Sequence, residues 1–267
     1  DCATINETTG EVTMLKAGTI TVQASQAATT NFAAPSSITT TCTISKAPTT
    51  ITTNPTVGDV VYGTALNKIE LVGGVAQNTV NNQAVEGTFA ITSGDISTAG
   101  EHSITVTFTP ANTDMYAPCT KDISVTVLKA TPDATASAGE IVYGAKVESS
   151  ELTNTGTTDG TWTWTDDKKE QVLAVGTYEG LKVHFTPTDP TNYNEIDGTV
   201  SLTITAATPT LTWTAKAETA QVHEKKTFTA SSTNTDSDAK ITYSIISGND
   251  CATINETTGE VTMLKAG

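Results

Sequence analysis

The sequence predicts an all-β chain built as a row of three small β-sandwiches, one of them divided between the two chain ends. Three observations predict it. Threonine is the commonest residue, 58 of 267, and it alternates with Val and Ile in short runs, which suits a pleated, half-buried surface. Proline recurs at Lys46-Ala47-Pro48, Lys129-Ala130-Thr131-Pro132 and Ala206-Ala207-Thr208-Pro209, each time after one alternating stretch and before the next. The stretch DCATINETTGEVTMLKAG occurs twice without a change, as residues 1–18 and 250–267, so the chain reads as one 249-residue period of a longer repeat with an 18-residue overlap.

Composition supports several thin cores over one large one. Only 37% of residues are hydrophobic and 5% aromatic, too little for a single large core, whereas sandwiches of about 80–100 residues need only a shallow one. The net charge is -15, with 29 acidic residues, 14 Lys and no Arg. That excludes a nucleic-acid partner, whose phosphates need a basic footprint, and it removes the usual bidentate anchor for phosphates and carboxylates. An acidic, Thr-rich exterior reads as a soluble, weakly sticky surface. No run of 18 apolar residues occurs, so no helical membrane insertion is expected. No sorting motif appears either.

The Pro-marked junctions, which stiffen short connections, set four pieces: 1–47, the C-terminal part of one domain; 48–130 and 131–207, two whole domains; and 208–267, the N-terminal part of a domain completed by residues 19–46 of the next unit. In 48–130 strands are expected near 49–53, 58–62, 67–72, 87–92, 102–109 and 121–128. Alternation at Ile104, Val106 and Phe108, and at Ile123, Val125 and Val127, places those side chains on one inner face of neighbouring strands. The connection from Thr109 to Cys119, with two prolines and Asn112-Thr113-Asp114, reads as a loop.

The piece 131–207 repeats the plan, with strands at Ile141–Tyr143, Thr161–Thr165, Gly180–Phe185 and Thr199–Ile204. Internal matches tie the two together. Val61-Tyr62-Gly63 matches Val142-Tyr143-Gly144, and Gly87-Thr88-Phe89 matches Gly160-Thr161-Trp162. The stretch from Ser103 through Phe108-Thr109-Pro110 to Tyr116 matches that from Gly180 through Phe185-Thr186-Pro187 to Tyr193. Thr19 to Phe32 is a weaker version, with Phe32 at the Tyr position. In the divided domain, strands are expected at Leu211–Trp213, Thr227–Thr229 and Ile241–Ile246, and residues 19–46 supply its last two.

The divided domain resembles bacterial Ig-like domains of group 2 type. The resemblance rests on Ala252-Thr253-Ile254, a turn ending in Gly259, Val261-Thr262 and Ala266-Gly267, continued as Thr19-Ile20-Thr21-Val22. The other two pieces resemble the "YG…GTF…FTPxDxxxY" Ig-like repeats found in tandem on bacterial surface proteins. Together these cover nearly the whole chain. The resemblance implies Ig-like folds in a secreted or surface-attached bacterial protein, as stalks, adhesin spacers or fibre subunits. It specifies no ligand, since fold does not imply function.

Each period holds three cysteine sites, Cys2 (repeated as Cys251), Cys42 and Cys119. Aligning Lys46-Ala47 with Lys129-Ala130 puts Cys42 at the inward position of Val125. A Cys2–Cys42 disulfide follows, with Cys251 left for the next unit; an exported protein permits it, and a loop of about 40 residues would add roughly 4 kcal/mol. The alternative is a pair of buried free thiols. Cys119, odd and in a loop, is either free or an intermolecular cross-link.

No catalytic constellation appears. His102, His184 and His223 lie in or beside strands of different pieces without ligand spacing. No phosphate loop or nucleophile elbow occurs, so no enzyme activity and no cofactor are expected. Asn234, Asp236 and Asp238 alternate like calcium ligands but lack the Gly and terminal Glu that complete such a loop. Trp162 and Trp164 lie two apart and face one side; Trp162 reads as a core plug, or the pair as a glycan-stacking platform. Two functions from different classes therefore fit. One is a structural repeat unit of an extracellular fibre, stalk or filament whose partners are copies of itself, head to tail. The other is an adhesin or carbohydrate-binding module.

Overall fold

The computed structural model describes residues 1–214 and 219–267, and these are all-β apart from two single 3-10 turns, Leu66–Lys68 and Val147–Ser149. They gather into two compact units. One comprises Asp1–Ser137, Leu152–Thr165 and Lys182–Thr199, and the other Ala138–Glu151, Asp166–Leu181 and Val200–Gly267.

The chain opens with a hairpin of β1 (Ala3–Ile5) and β2 (Val12–Met14), paired Ala3↔Met14 to Ile5↔Val12. Its turn is closed by Asn6, whose Oδ1 accepts the Thr8 and Thr9 N–H groups at 3.0 and 3.1 Å, and by Gly10 at φ +74°. A ribbon of β3 (Gly18–Ala24) and β4 (Ile38–Ile44) follows, in register Gly18↔Ile44 through Ala24↔Ile38. Each is a two-stranded sheet, and no side chain of residues 1–46 is buried. Two strands alone are marginal in water because one face has nothing to pack on.

The first sandwich contains β5 (Thr49–Thr53), β6 (Thr56–Val57), β7 (Val60–Val61), β8 (Leu71–Val72), β9 (Val75–Asn78), β10 (Ala84–Val85), β11 (Gly87–Gly94), β12 (Gly100–Pro110) and β13 (Cys119–Leu128). A four-stranded sheet runs β11-β12-β13-β7, a three-stranded sheet β10-β9-β5, and β6 pairs with β8. The expected inner face is there: Ile104 and Val106 are fully buried, Phe108 nearly so, and Ile104 sits opposite Ile123. The expected strand 58–62 is shorter, reduced to Val60–Val61, which pairs parallel with the end of β13, Val60 opposite Val127; Gly58-Asp59 separates it from β6, an unexpected strand that pairs antiparallel with β8. The expected strand 67–72 likewise begins as a 3-10 turn, and β9 and β10 were not foreseen.

The second sandwich has β14 (Ala136–Ala138), β15 (Ile141–Val142), β16 (Leu152–Asn154), β17 (Gly160–Trp164), β18 (Gly176–Pro187) and β19 (Ile196–Thr205). Its larger sheet runs β15-β19-β18-β17, again with a parallel edge, Ile141 opposite Ile204. Trp162 faces Phe185 across the ladder, their rings 5.1 Å apart.

The last strands are β20 (Leu211–Trp213), paired with β22 (Ala230–Ser232), and β21 (Lys225–Thr227), paired with β24 (Glu260–Met263), whose other neighbour is β23 (Ala252–Ile254). Val261 is the single buried hydrophobic side chain among the described residues beyond Pro209. The expected strand Ile241–Ile246 forms no ladder. Ile241, Tyr243 and Ile245 are half-buried and alternate with exposed neighbours, so the strand pattern is present, but a strand is defined by a hydrogen-bonded neighbour.

Candidate functional site: a clamp on the linkers

The loop motif shared by the two whole sandwiches lies between β12 and β13, and again between β18 and β19. Both copies fold into the same turn. In the first, Asn112 Oδ1 accepts the N–H groups of Asp114 and Met115, each at 3.1 Å, and the Tyr116 N–H donates to the Asn112 carbonyl. In the second, Asp189 takes that role, accepting the Asn192 backbone N–H on Oδ1 at 3.3 Å and its Nδ2 on Oδ2 at 2.6 Å. Short acidic or amide side chains that bond their own backbone a few residues on favour such turns.

What the turn presents is an extended edge to the linker that precedes its own domain. Ala47 forms a parallel bridge with Tyr116, donating to the Met115 carbonyl at 2.8 Å and accepting from Ala117 at 2.9 Å. Ala130 does the same with Tyr193, donating to the Asn192 carbonyl and accepting from Asn194, both at 2.9 Å. Each linker is thereby held as a short extra strand.

The same loop reaches past the linker to the preceding sandwich. The Ala99 N–H donates to Asn192 Oδ1 at 2.8 Å, and Lys129 Nζ donates to the Pro190 carbonyl at 2.6 Å. Tyr193 meets Tyr62 edge to face, ring centroids 5.4 Å apart. Asn192 is only 7% exposed, and a buried amide is kept there by its partners. At the first joint the Ala17 N–H donates to the Asp114 carbonyl at 3.0 Å. An aromatic pair of this geometry adds about 0.5–1.5 kcal/mol. Sequence matching singled out Tyr62 and Tyr193 only as motif positions; their meeting across a junction has no one-dimensional signal.

The other predicted site residues fall elsewhere. Trp162 is 8% exposed and its Nε1 donates to Asn154 Oδ1 at 3.2 Å, so it fills the core and the glycan platform of Trp162 with Trp164 is corrected: one face of that strand packs inward against Phe185. Cys119 is corrected from loop to strand. It opens β13 opposite Phe108, half-buried against the cluster of Ile51, Ala76 and Phe108, because the β12–β13 ladder extends further than its alternating core residues suggest.

Cys2, Cys42, Cys119 and Cys251 are free thiols. Cys2 lies against Gly18, whose cross-strand partner Ile44 is two residues from Cys42, so the two sites share one end of the N-terminal piece. Cys42 is exposed, not inward-packed as expected, since β4 is exposed along its length as far as Thr43. Burial, together with the Asp250 carboxylate beside it, raises the Cys251 thiol pKa.

At the calcium candidate, Asn234 Oδ1 accepts the Asp236 N–H at 2.9 Å and is used in its own turn. Among the described residues no three His, Cys, Asp or Glu side chains converge as a metal site. His184 is held by Asp197 Oδ1 at 2.8 Å and Glu195 Oε2 at 3.3 Å. The hydrogen bond to Asp197, with a smaller one to Glu195, raises its pKa against the opposing effect of burial.

Fold and joints define a tandem β-sandwich repeat protein. No family model matches the chain, and no curated protein does. Among solved structures it is similar to the protocadherin GammaB4 extracellular domain, at 14% identity over 99% of this chain with a TM-score of 0.29. It is also similar to mouse cadherin-23 EC22-24, at 11% identity over 83% of this chain and 90% of that one, TM-score 0.31. Drosophila N-cadherin EC1-4 matches at 13% identity over 98% and 80%, TM-score 0.27. The chain spans about half the length of the protocadherin, 53%. Likeness at these scores carries no functional argument.

Proposed function

We infer that this chain is the repeat unit of an extracellular bacterial fibre, stalk or filament, with sandwich domains at 48–130 and 131–207 and a third domain shared between consecutive units, joined head to tail at a 249-residue period. The observation that carries the reading is the recurrence of one joint: two copies of the same loop hold two linkers with the same pair of backbone hydrogen bonds. A fibre needs many copies of one rigid junction, whereas a receptor site needs one. The exact repeat of residues 1–18 supports it, as does the acidic surface, which keeps such a fibre soluble. A Cys2–Cys42 bond within the shared domain, formed by oxidation after export of the two thiols that are free in this structure, belongs to the same reading. The carbohydrate-binding alternative loses its platform with Trp162 in the core.

Electron microscopy of the native protein tests this, with thin beaded filaments expected and isolated compact particles overturning it. Reducing, denaturing electrophoresis then separates one very long polypeptide from separate subunits of about the mass of this chain, 27.7 kDa.

A further inference from the structure

The chain has six tyrosines, and among the described residues one pair of them is in ring contact. Tyr62 and Tyr193 meet edge to face, with centroids 5.4 Å apart and ring planes at 80°, where the loop of the second sandwich reaches the first. Both are half-buried, so each ring is held by its neighbours and still open to a small reagent. The backbones beneath them are fixed separately. The Tyr62 N–H donates to the Leu128 carbonyl at 2.8 Å, one residue beyond the parallel pairing of β7 with β13, and the Tyr193 N–H donates to the Asp189 carbonyl at 3.1 Å. On either side of Tyr193, Asn192 and Asn194 each bond Ala130 of the linker, and Asn192 is held in turn by Ala99.

Packing accounts for two aromatic rings at this place, but it does not call for two phenols. The ring contacts inside the whole sandwiches, Phe89 with Phe108 and Trp162 with Phe185, pair no tyrosines. Elsewhere a tyrosine hydroxyl serves its own domain: that of Tyr178 donates to the Ala174 carbonyl at 3.0 Å, and that of Tyr243 accepts the Ala230 N–H at 3.2 Å. A phenol against a phenol across a joint adds a reaction that phenylalanine in either position would remove.

We propose that Tyr62 and Tyr193 are a site of oxidative cross-linking, coupled through their ortho carbons into a dityrosine that staples the joint between the two whole sandwiches. The oxidant is a peroxide, with a haem peroxidase passing on its oxidising equivalents one electron at a time. Each phenol gives up one electron from its ring and the proton of its hydroxyl. The two phenoxyl radicals join by a new carbon–carbon bond, and the hydrogens on the joined ortho carbons move to the two oxygens, which restores both phenols. The chain loses two hydrogen atoms in all, and the O–O bond of the peroxide breaks to give two waters. A turn of either ring within the contact brings the ortho carbons together, a side-chain motion far faster than any rearrangement of the joint. Holding the two rings side by side also replaces a bimolecular encounter with an intramolecular one. The product spans the linker at 129–132, so the joint stays closed when the backbone bonds at Ala130 open. Its use, to stiffen each such joint of a fibre, rests on the head-to-tail reading above; the coupling itself needs only this chain.

The test is treatment of the dilute 267-residue chain with a haem peroxidase and limiting hydrogen peroxide. A monomer lighter by two hydrogens and carrying the blue fluorescence of dityrosine is expected, and proteolysis releases a linked peptide pair that contains Tyr62 and Tyr193. Its yield exceeds that of any other tyrosine pair by about tenfold or more, because these two are held in contact. Tyr62→Phe and Tyr193→Phe each keep the ring packing, checked by an unchanged circular dichroism melt, and abolish the product, whereas Tyr178→Phe leaves it. In the linked chain the Ala130 amide exchanges more slowly than in the untreated one. Several tyrosine pairs at similar yield would overturn the proposal, as would no coupling, coupling only between chains, or an intramolecular product that survives Tyr62→Phe. Equal Ala130 exchange in linked and unlinked chains would overturn the stapling role. None of these outcomes touches the fibre reading, which stands or falls on whether the native protein is filamentous.

Discussion

Asn192 makes four hydrogen bonds at once: its Oδ1 accepts from Ala99, its Nδ2 and backbone N–H donate to Asp189, and its carbonyl accepts from the linker at Ala130. Asn192→Ala leaves the Ala99 N–H without that partner, and we expect a loss of about 1–3 kcal/mol at the joint, read as faster amide exchange at Ala130 with the sandwich cores unchanged. Gly10 and Gly259 provide a paired test, since both hold φ near +70° in identical sequence. Gly10→Ala is expected to cost about 1–2 kcal/mol from backbone strain alone. Gly259→Ala costs more, because its Cβ would run into the Phe228 carbonyl; comparing exchange protection in the two hairpins checks this. His184 has a raised pKa in the folded state, so its contribution is fully present below its unfolded value of about 6.5 and is lost as pH rises through the folded value. His184→Gln should flatten that dependence in thermal melts across neutrality, and an unchanged slope would remove His184 as its source.

The elements divide by how many neighbours they have. β12 and β13 pair over nine positions, from Gly100↔Val127 to Phe108↔Cys119, and bury Ile104, Val106 and Phe108. Phe108→Ala is expected to destabilise the first sandwich by about 3–5 kcal/mol, seen in its calorimetric transition while that of the second sandwich stays in place. The β3–β4 ribbon has comparable length, seven paired positions, yet none of its side chains is fully buried, and Ile20, Val22 and Ile44 are only half-buried. Its amides should therefore exchange early in the free chain and slow down on assembly. The two parallel pairings, Val60↔Val127 and Ile141↔Ile204, close each larger sheet with a strand from the start of its own domain, which covers an edge that would otherwise be open.

Across the whole molecule the charge of -15 opposes contact between copies. Like-charged chains repel over about 8–10 Å at moderate ionic strength, so self-association should strengthen as salt rises from low to physiological levels, and weakening with salt would point to an ion-paired interface instead. The all-β class, the tandem plan and the inner faces of β12 and β13 were legible in the sequence because burial on one side of a strand imposes a period of two on side-chain type, and because the 18-residue repeat is exact. The match to Phe89 also pointed to the core role that Trp162 takes, beside the glycan platform that it does not form. The tertiary structure alone decided which residues meet across a junction. Tyr62 and Tyr193 lie 131 positions apart, and no local preference brings them together. It also decided that Gly58-Asp59 separates two short strands that join different sheets, that Cys119 begins a strand, and that Ile241 to Ile246 keeps its alternation without a ladder. Pairing is a property of two segments, and a pattern read along one of them states its readiness to pair without naming the partner.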